Sequence, residues 1–292
     1  MACRRFLDDL EKSKTDPEYP WAFDEHKAAR PVDFIERFLV PTKGDYDKMV
    51  LMDWQCFIEC NLFGWVEKTT GLRRFQEALI VVGSGNGKST MMAGNATFMA
   101  CKDGEQGPEI YLLANSKDQA GIVFNECKAQ IDASRFLAPR FRTLRDGVYY
   151  DKAHAVIRHR SSDSKRLDGL NPHGAIFDEI HEYRDFKLLN IIKKKTIKRK
   201  QPLIMYITTI PGILLHLREA QRRASAVPQR TPVAAWAASR SRCWMPRARW
   251  AATSWTACRG FWGRWGALAA HVWTRWARRL TWRRTRASTQ TT

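Results

Sequence analysis

No apolar run in this chain of 292 residues is long enough to cross a membrane, and no signal-peptide pattern opens it, so the sequence reads as that of a soluble, intracellular protein. Its seven cysteines (Cys3, Cys56, Cys60, Cys101, Cys127, Cys243 and Cys258) form no C-x-x-C pair, so neither a disulfide framework nor a metal site is read from them, and reduced thiols are the expectation. Cys56 and Cys60 stand one helical turn apart, which suits core packing. The seven histidines show no ligand spacing either.

A second absence is regional. Residues 213–292 hold no Lys, no Asp, no Tyr, no Asn, one Glu and one Ile, against 16 Arg and nine of the twelve Trp. That segment carries +15 of the formal +19, which leaves 33 basic against 29 acidic residues in 1–212. No strand or helix period organises it. One reading is a nucleic-acid arm, because guanidinium groups neutralise phosphate and indoles stack on bases. A binding arm is expected to mix Lys with Arg and to carry few exposed tryptophans. The composition therefore points to a GC-rich gene read out of frame from about residue 213. A two-metal nuclease site needs several clustered carboxylates, and Glu219 alone cannot build one.

What the chain does contain is Gly83-Ser84-Gly85-Asn86-Gly87-Lys88-Ser89-Thr90 after the apolar run Ala78-Leu79-Ile80-Val81-Val82. A buried strand, a glycine-rich turn and a following helix form a phosphate-binding loop: backbone N–H groups point at phosphate oxygens and the helix dipole adds positive potential. Lys88 would reach the β- and γ-phosphates of ATP, and Ser89 would hold Mg²⁺. The consensus asks for Gly at position 82, where this chain has Val82, the leading glycine being displaced to Gly83.

Along the chain, residues 1–50 read as a helical lead-in with turns at Asp16-Pro17 and Tyr19-Pro20, closed by Pro41-Thr42-Lys43-Gly44-Asp45. Leu51 to Ile58 has helical spacing and continues to Leu62-Phe63-Gly64-Trp65. Met91 to Cys101 reads as a crossover helix, Glu109 to Ala114 as a strand, and Asn115-Ser116 as the cap of a helix over 117–131. Further strands are expected at Ala153 to Ile157, at Gly174 to Phe177 ending in Asp178-Glu179, and at Leu203 to Ile207 ending in Thr208-Thr209. Strands alternating with helices predict an α/β fold, a mainly parallel sheet flanked by helices. Ligands of such sheets lie at the carboxyl ends of the strands, where Gly83–Ser89, Asp178-Glu179 and Thr208-Thr209 all fall. Beside a phosphate loop, Asp178 would bind the Mg²⁺ shell and Glu179 would orient and deprotonate the attacking water. Alone, the acidic pair could equally cap a helix, and two threonines suit a strand end for their own sake.

These segments together resemble the large subunit of tailed-phage terminases. The resemblance covers about residues 3–212 and rests on Cys3-Arg4-Arg5-Phe6-Leu7-Asp8-Asp9-Leu10-Glu11, Trp54-Gln55 with Leu62-Phe63-Gly64-Trp65, Asn86-Gly87-Lys88-Ser89, Ala114-Asn115-Ser116-Lys117-Asp118-Gln119-Ala120, Leu167-Asp168-Gly169-Leu170-Asn171-Pro172, Phe177-Asp178-Glu179-Ile180-His181-Glu182 and Ile207-Thr208-Thr209. It implies a RecA-like P-loop ATPase domain over 51–212, after a lead-in over 1–50 and before the irregular tail over 213–292. Within it, Gln55 reads the adenine, Lys88 and Ser89 bind phosphate and metal, Asp178 and Glu179 are the acidic pair, and Thr208-Thr209 is the coupling motif. ATP and Mg²⁺ are the implied cofactors. Double-stranded DNA, a terminase small subunit, a portal protein and further copies of the chain in a ring are the implied partners, in the cytoplasm of a bacterial host and away from any membrane. Relatives carry more residues before the first matched segment, so Met1 is read as an internal start. Where many relatives have Arg and Lys before N-G-K-S, this chain has Ser84 and Gly85. The transition-state arginine is thus open among Arg73, Arg74, Arg160, Arg166 and Arg184. The alternatives are another P-loop translocase or helicase, and a remnant gene product whose tail binds nucleic acid.

Overall fold

The computed structural model describes residues 2–44, 48–161 and 169–209. The Arg/Trp-rich segment and Arg166 lie outside the described residues. The elements run α1 (Ala2–Thr15), β1 (Trp21–Phe23), α2 (Glu25–Phe38), α3 (Asp53–Gly64), β2 (Trp65–Glu67), β3 (Glu77–Val81), α4 (Lys88–Cys101), β4 (Glu109–Ala114), α5 (Lys117–Ala133), β5 (Arg142–Thr143), β6 (Val148–Tyr150), β7 (Ala155–Ser161), β8 (Pro172–Phe177), α6 (Lys187–Lys195) and β9 (Leu203–Thr208).

Seven strands form one sheet in the order β3-β9-β8-β4-β7-β6-β5. The first five are mutually parallel, and β6 and β5 add an antiparallel hairpin at one side. This is the expected mainly parallel sheet, and it is buried on both faces, which is why β4, β8 and β9 read as continuous apolar runs. Alternation along the strands splits the core. Tyr111, Leu113, Ala175, Phe177 and Ile204 face Leu188 and Ile192 of α6. Ile110 faces the opposite way, toward the layer of α4 and α5, with Met99 of α4 beside the same strands.

The lead-in is anchored to this core. Phe6 of α1 makes edge-to-face contacts with Phe23, Phe57 and Trp65. Asp24 caps α2 by accepting from the His26 and Lys27 backbone N–H groups. β1 pairs antiparallel with β2, and α3 can enter that ribbon only because Gly64 has no side chain: a Cβ there would stand 2.6 Å from the Phe23 ring and 2.7 Å from the Ala28 methyl.

Two readings of the sequence need correction. The run before the phosphate loop is not a fully buried strand: Ile80 is buried, but Leu79 is 62% and Val81 40% exposed. Among the described residues β3 pairs with β9 alone and forms one edge of the sheet, so its outward positions meet no neighbour. The crossover helix also starts earlier than Met91, at Lys88, because Gly87 in the left-handed conformation (φ 67°) ends the loop directly at its N-terminus. Cys56 and Cys60 are buried free thiols, in line with core packing.

Glu59 of α3 is fully buried; its Oε1 accepts from Asn95 Nδ2 of α4 at 2.8 Å, while Oε2 has no partner among the described residues. Burial pushes its carboxyl from the ordinary 4.5 up to about 8, so the folded chain holds the proton at neutral pH. The unfolded chain releases it above its ordinary value. Stability contributed by the retained proton is therefore complete below about pH 4.5 and declines toward pH 8, by up to about 1.4 kcal/mol per pH unit. Glu59→Gln is expected to flatten this slope, leaving melting temperatures similar at pH 5 and raising that of the variant above wild type at pH 8. Parallel slopes for the two proteins would contradict it.

Candidate nucleotide-binding site

Because β3, β9, β8 and β4 are parallel, their carboxyl ends at Val81, Thr208, Phe177 and Ala114 share one side of the sheet. The predicted groups converge there. The Val82 N–H donates to the Thr208 carbonyl (3.1 Å), tying the phosphate loop to the end of β9, and the Asp178 N–H donates to the Leu113 carbonyl (2.8 Å).

The loop is shaped by its own residues. Gly85 and Gly87 adopt φ of 76° and 67°, conformations costly for side-chain-bearing residues. Asn86 Nδ2 donates to the Gly83 and Ser84 carbonyls (3.1 and 3.3 Å), folding the turn back on itself. Among the described residues no side chain caps α4, so the first N–H groups of the helix, at Lys88, Ser89 and Thr90, are left for an acceptor at the loop. Thr90 Oγ1 is directed away, donating to Glu126 of α5 (3.3 Å), which also accepts from Thr42 and Gln130.

Lys88 Nζ donates to the Val82 carbonyl and to Glu179 Oε1, each at 3.3 Å. This lysine is 10% exposed and bridges the loop to the acidic strand end. The Glu179 backbone is left-handed (φ 44°, ψ 58°), unusual for a side-chain-bearing residue and a sign of local strain. Asp178 Oδ1 accepts the Glu179 N–H (3.1 Å). Burial, and then the charge of Glu179, raise the Asp178 carboxyl above its ordinary value, against the opposing pull of that N–H and of Lys88. A desolvated carboxylate beside another, with one lysine between them and the loop, has the chemistry of a divalent-cation neighbour. Among the described residues no group of three or more His, Cys, Asp or Glu could hold an ion alone. A cation here would draw most of its oxygens from phosphate, Ser89 and water, as Mg²⁺ commonly does.

Gln55 sits three residues into the start of α3, 5% exposed. Its Oε1 accepts the Met52 N–H (2.8 Å), and its Nε2 lies against Gly87. Thr208 is fully buried and Thr209 9% exposed.

The sequence reading assigned no role to three neighbours. His181 Nδ1 is 2.8 Å from Thr208 Oγ1 and 3.3 Å from Glu179 Oε2. Gln119 Nε2, on the first turn of α5, donates to Glu182 Oε2, and Glu126 holds Thr90. The only hint in the chain was that His181 and Gln119 lie inside motifs already singled out. Of the candidate arginines, Arg73 is buried against Asp103, and Arg74 pairs with Asp9 and Tyr19. Both precede β3, at the opposite end of the sheet, and are committed to carboxylates. Arg160 near the end of β7 and exposed Arg184 stay on the loop side. A cavity of about 190 Å³ beside Lys27, Arg30, Arg73 and Asp103 lies at that far end and has no part in the nucleotide geometry. Among the described residues no helix is long and apolar enough to cross a membrane.

Residues 53–224 match the family of the terminase large subunit, ATPase domain. The terminase large subunits of Lactococcus phages p2 and SK1 are each 24% identical over 200 residues, 66% of this chain and 37% of theirs, so the chain spans well under half the length of these relatives. The crystal structure of the HK97 bacteriophage large terminase superposes with a TM-score of 0.57 at 21% identity, over 68% of this chain and 42% of that one, a likeness of fold. With more than half its length matched, this chain belongs to the ATPase-domain family of phage terminase large subunits.

Proposed function

We propose that the chain is the ATP-hydrolysing part of a motor that drives double-stranded DNA into a phage prohead, working in the cytoplasm of a bacterial host. The observation that carries this reading is the Lys88–Glu179 contact at 3.3 Å, which brings the lysine of a G-K-S loop beside the acidic strand end that would supply the base. On ATP binding, Lys88 exchanges the Glu179 carboxylate for the β- and γ-phosphates, and the uncapped N–H groups of Lys88, Ser89 and Thr90, with the backbone of the Gly83–Gly87 turn, take up phosphate oxygens. Gln55 presents Nε2 to the adenine. Ser89 and Asp178 would hold Mg²⁺, which neutralises charge developing on the phosphates. Glu179 accepts a proton from a water whose oxygen bonds to the γ-phosphorus as the bond to the bridging oxygen of ADP breaks. Thr208-Thr209, bonded to the loop at Val82, carry the change of state to the moving parts. We take the wider assembly to be a ring of copies on a portal protein, with a terminase small subunit selecting the DNA, a reading supported by membership of the family.

The test is phosphate release from ATP by the full chain with Mg²⁺ and with EDTA. Hydrolysis that needs Mg²⁺ is the expected result; a folded chain that binds ATP without turnover would overturn the hydrolytic part of the proposal.

A further inference from the structure

We propose that His181 is a positioning residue, a relay whose single Nδ1–H passes from Thr208 to Glu179 when Lys88 leaves for a nucleotide. This rests on the nucleotide-site reading above.

The Nδ1 of His181 lies 2.8 Å from Thr208 Oγ1 and 3.3 Å from Glu179 Oε2. Glu179 Oε2 can only accept, so serving both oxygens calls for the tautomer with its proton on Nδ1; in that tautomer Thr208 Oγ1 accepts from the imidazole and turns its own hydrogen toward the Thr209 carbonyl, 3.5 Å away. One N–H cannot fully serve two acceptors, and here it serves Thr208. Among the described residues Glu179 Oε2 is buried and accepts no hydrogen bond, while Oε1 of the same carboxylate accepts from Lys88 Nζ. Glu179 thus has one donor engaged and another within reach.

Withdrawing Lys88 toward phosphate strips the partly exposed Glu179 of its cation, and leaving its buried Oε2 without a donor is costly. A small rotation of the imidazole, closing its gap by about 0.5 Å to the length of a charge-assisted N–H···O bond, gives Glu179 a replacement. It also holds the carboxylate in place for the water. The same rotation takes the hydrogen bond away from the fully buried Thr208 hydroxyl, in a residue whose carbonyl accepts the Val82 N–H of the phosphate loop. Occupation of the loop is thereby reported to β9 through one imidazole.

Hydrogen exchange on the full chain with and without ATPγS and Mg²⁺ tests this, using His181→Ala and the conservative His181→Asn, whose amide can donate from a similar position. In wild type, ATPγS is expected to slow exchange in the 83–90 peptide and to change it in the 203–209 peptide. His181→Ala should keep the first response and lose the second, and His181→Asn should keep both. Alongside, kcat for ATP should fall about tenfold in His181→Ala with KM unchanged, as loss of carboxylate orientation requires. A 203–209 response that survives in His181→Ala, or is absent from a wild type protected at 83–90, overturns the relay alone. Absence of protection at 83–90 in wild type overturns the nucleotide reading, and the relay with it.

Discussion

Glu179→Gln is expected to lower kcat for ATP hydrolysis by about 10²- to 10⁴-fold, the usual contribution of a general base, while ATP affinity stays within a few-fold of wild type. Gln is nearly isosteric with Glu, and its amide oxygen can still accept from Lys88, so the 3.3 Å contact that positions this side chain need not be lost. What disappears is the capacity to take a proton from water. Removing a negative charge beside an incoming polyphosphate can only help binding, so a loss of affinity is not the expected route to inactivity. Single-turnover phosphate release together with equilibrium ATP binding checks both halves. A turnover rate within tenfold of wild type would remove Glu179 from the role of base.

Asp103→Ala is expected to destabilise the chain by about 3–5 kcal/mol, a large part of the stability of an ordinary domain. Both carboxylate oxygens of Asp103 accept from the single Nη2 of Arg73 (2.5 and 2.6 Å), and one of them lies 2.7 Å from His173 Nε2. Arg73 also stacks over the Phe63 ring at 4.6 Å, and the His173 side chain is fully buried. Burial alone would raise the Asp103 carboxyl, but the charge of Arg73 and the His173 contact hold it well below the usual carboxylate range. Its stabilising contribution is thus complete above the unfolded value near 3.8 and is lost only as the pH falls toward the depressed folded one. Truncation leaves a guanidinium buried without its anion. Urea unfolding at pH 7 measures the loss, and Arg73→Met in the same background should recover part of it, because the orphaned charge goes too. A loss under 1 kcal/mol would show that water or another acceptor replaces the carboxylate.

The legible parts of this fold were those in which local pattern and burial coincide. Strands β4, β8 and β9 lie between two layers, so their residues are apolar on both faces and stand out in the sequence as short runs. The phosphate loop is legible because its backbone demands glycine at Gly85 and Gly87, two left-handed positions flanking Asn86. The helix α6 leaves a faint trace in the sequence: Leu188 and Ile192 lie one turn apart above a last turn of Lys193, Lys194 and Lys195, a signal diluted by its nine-residue length. The ribbon of β1 with β2 and the hairpin of β5 with β6 are strands of two or three residues, too short for a period to show. Two clusters were beyond reach for another reason. Asp103 meets partners 30 positions before it and 70 after it, and His181 meets Thr208 across 27, so only the completed sheet brings them together.

Whether this is a nucleotide site at all is tested most directly by titrating a fluorescent ATP analogue, displaced by ATP, into the full chain and into Lys88→Ala. Loss of a charge-assisted contact worth about 1.5–3 kcal/mol predicts saturable, ATP-competed binding in wild type, weakened by roughly 10- to 100-fold in the variant. Equal affinities for the two proteins, or no competition by ATP, would contradict the assignment of the Gly83–Thr90 loop to nucleotide.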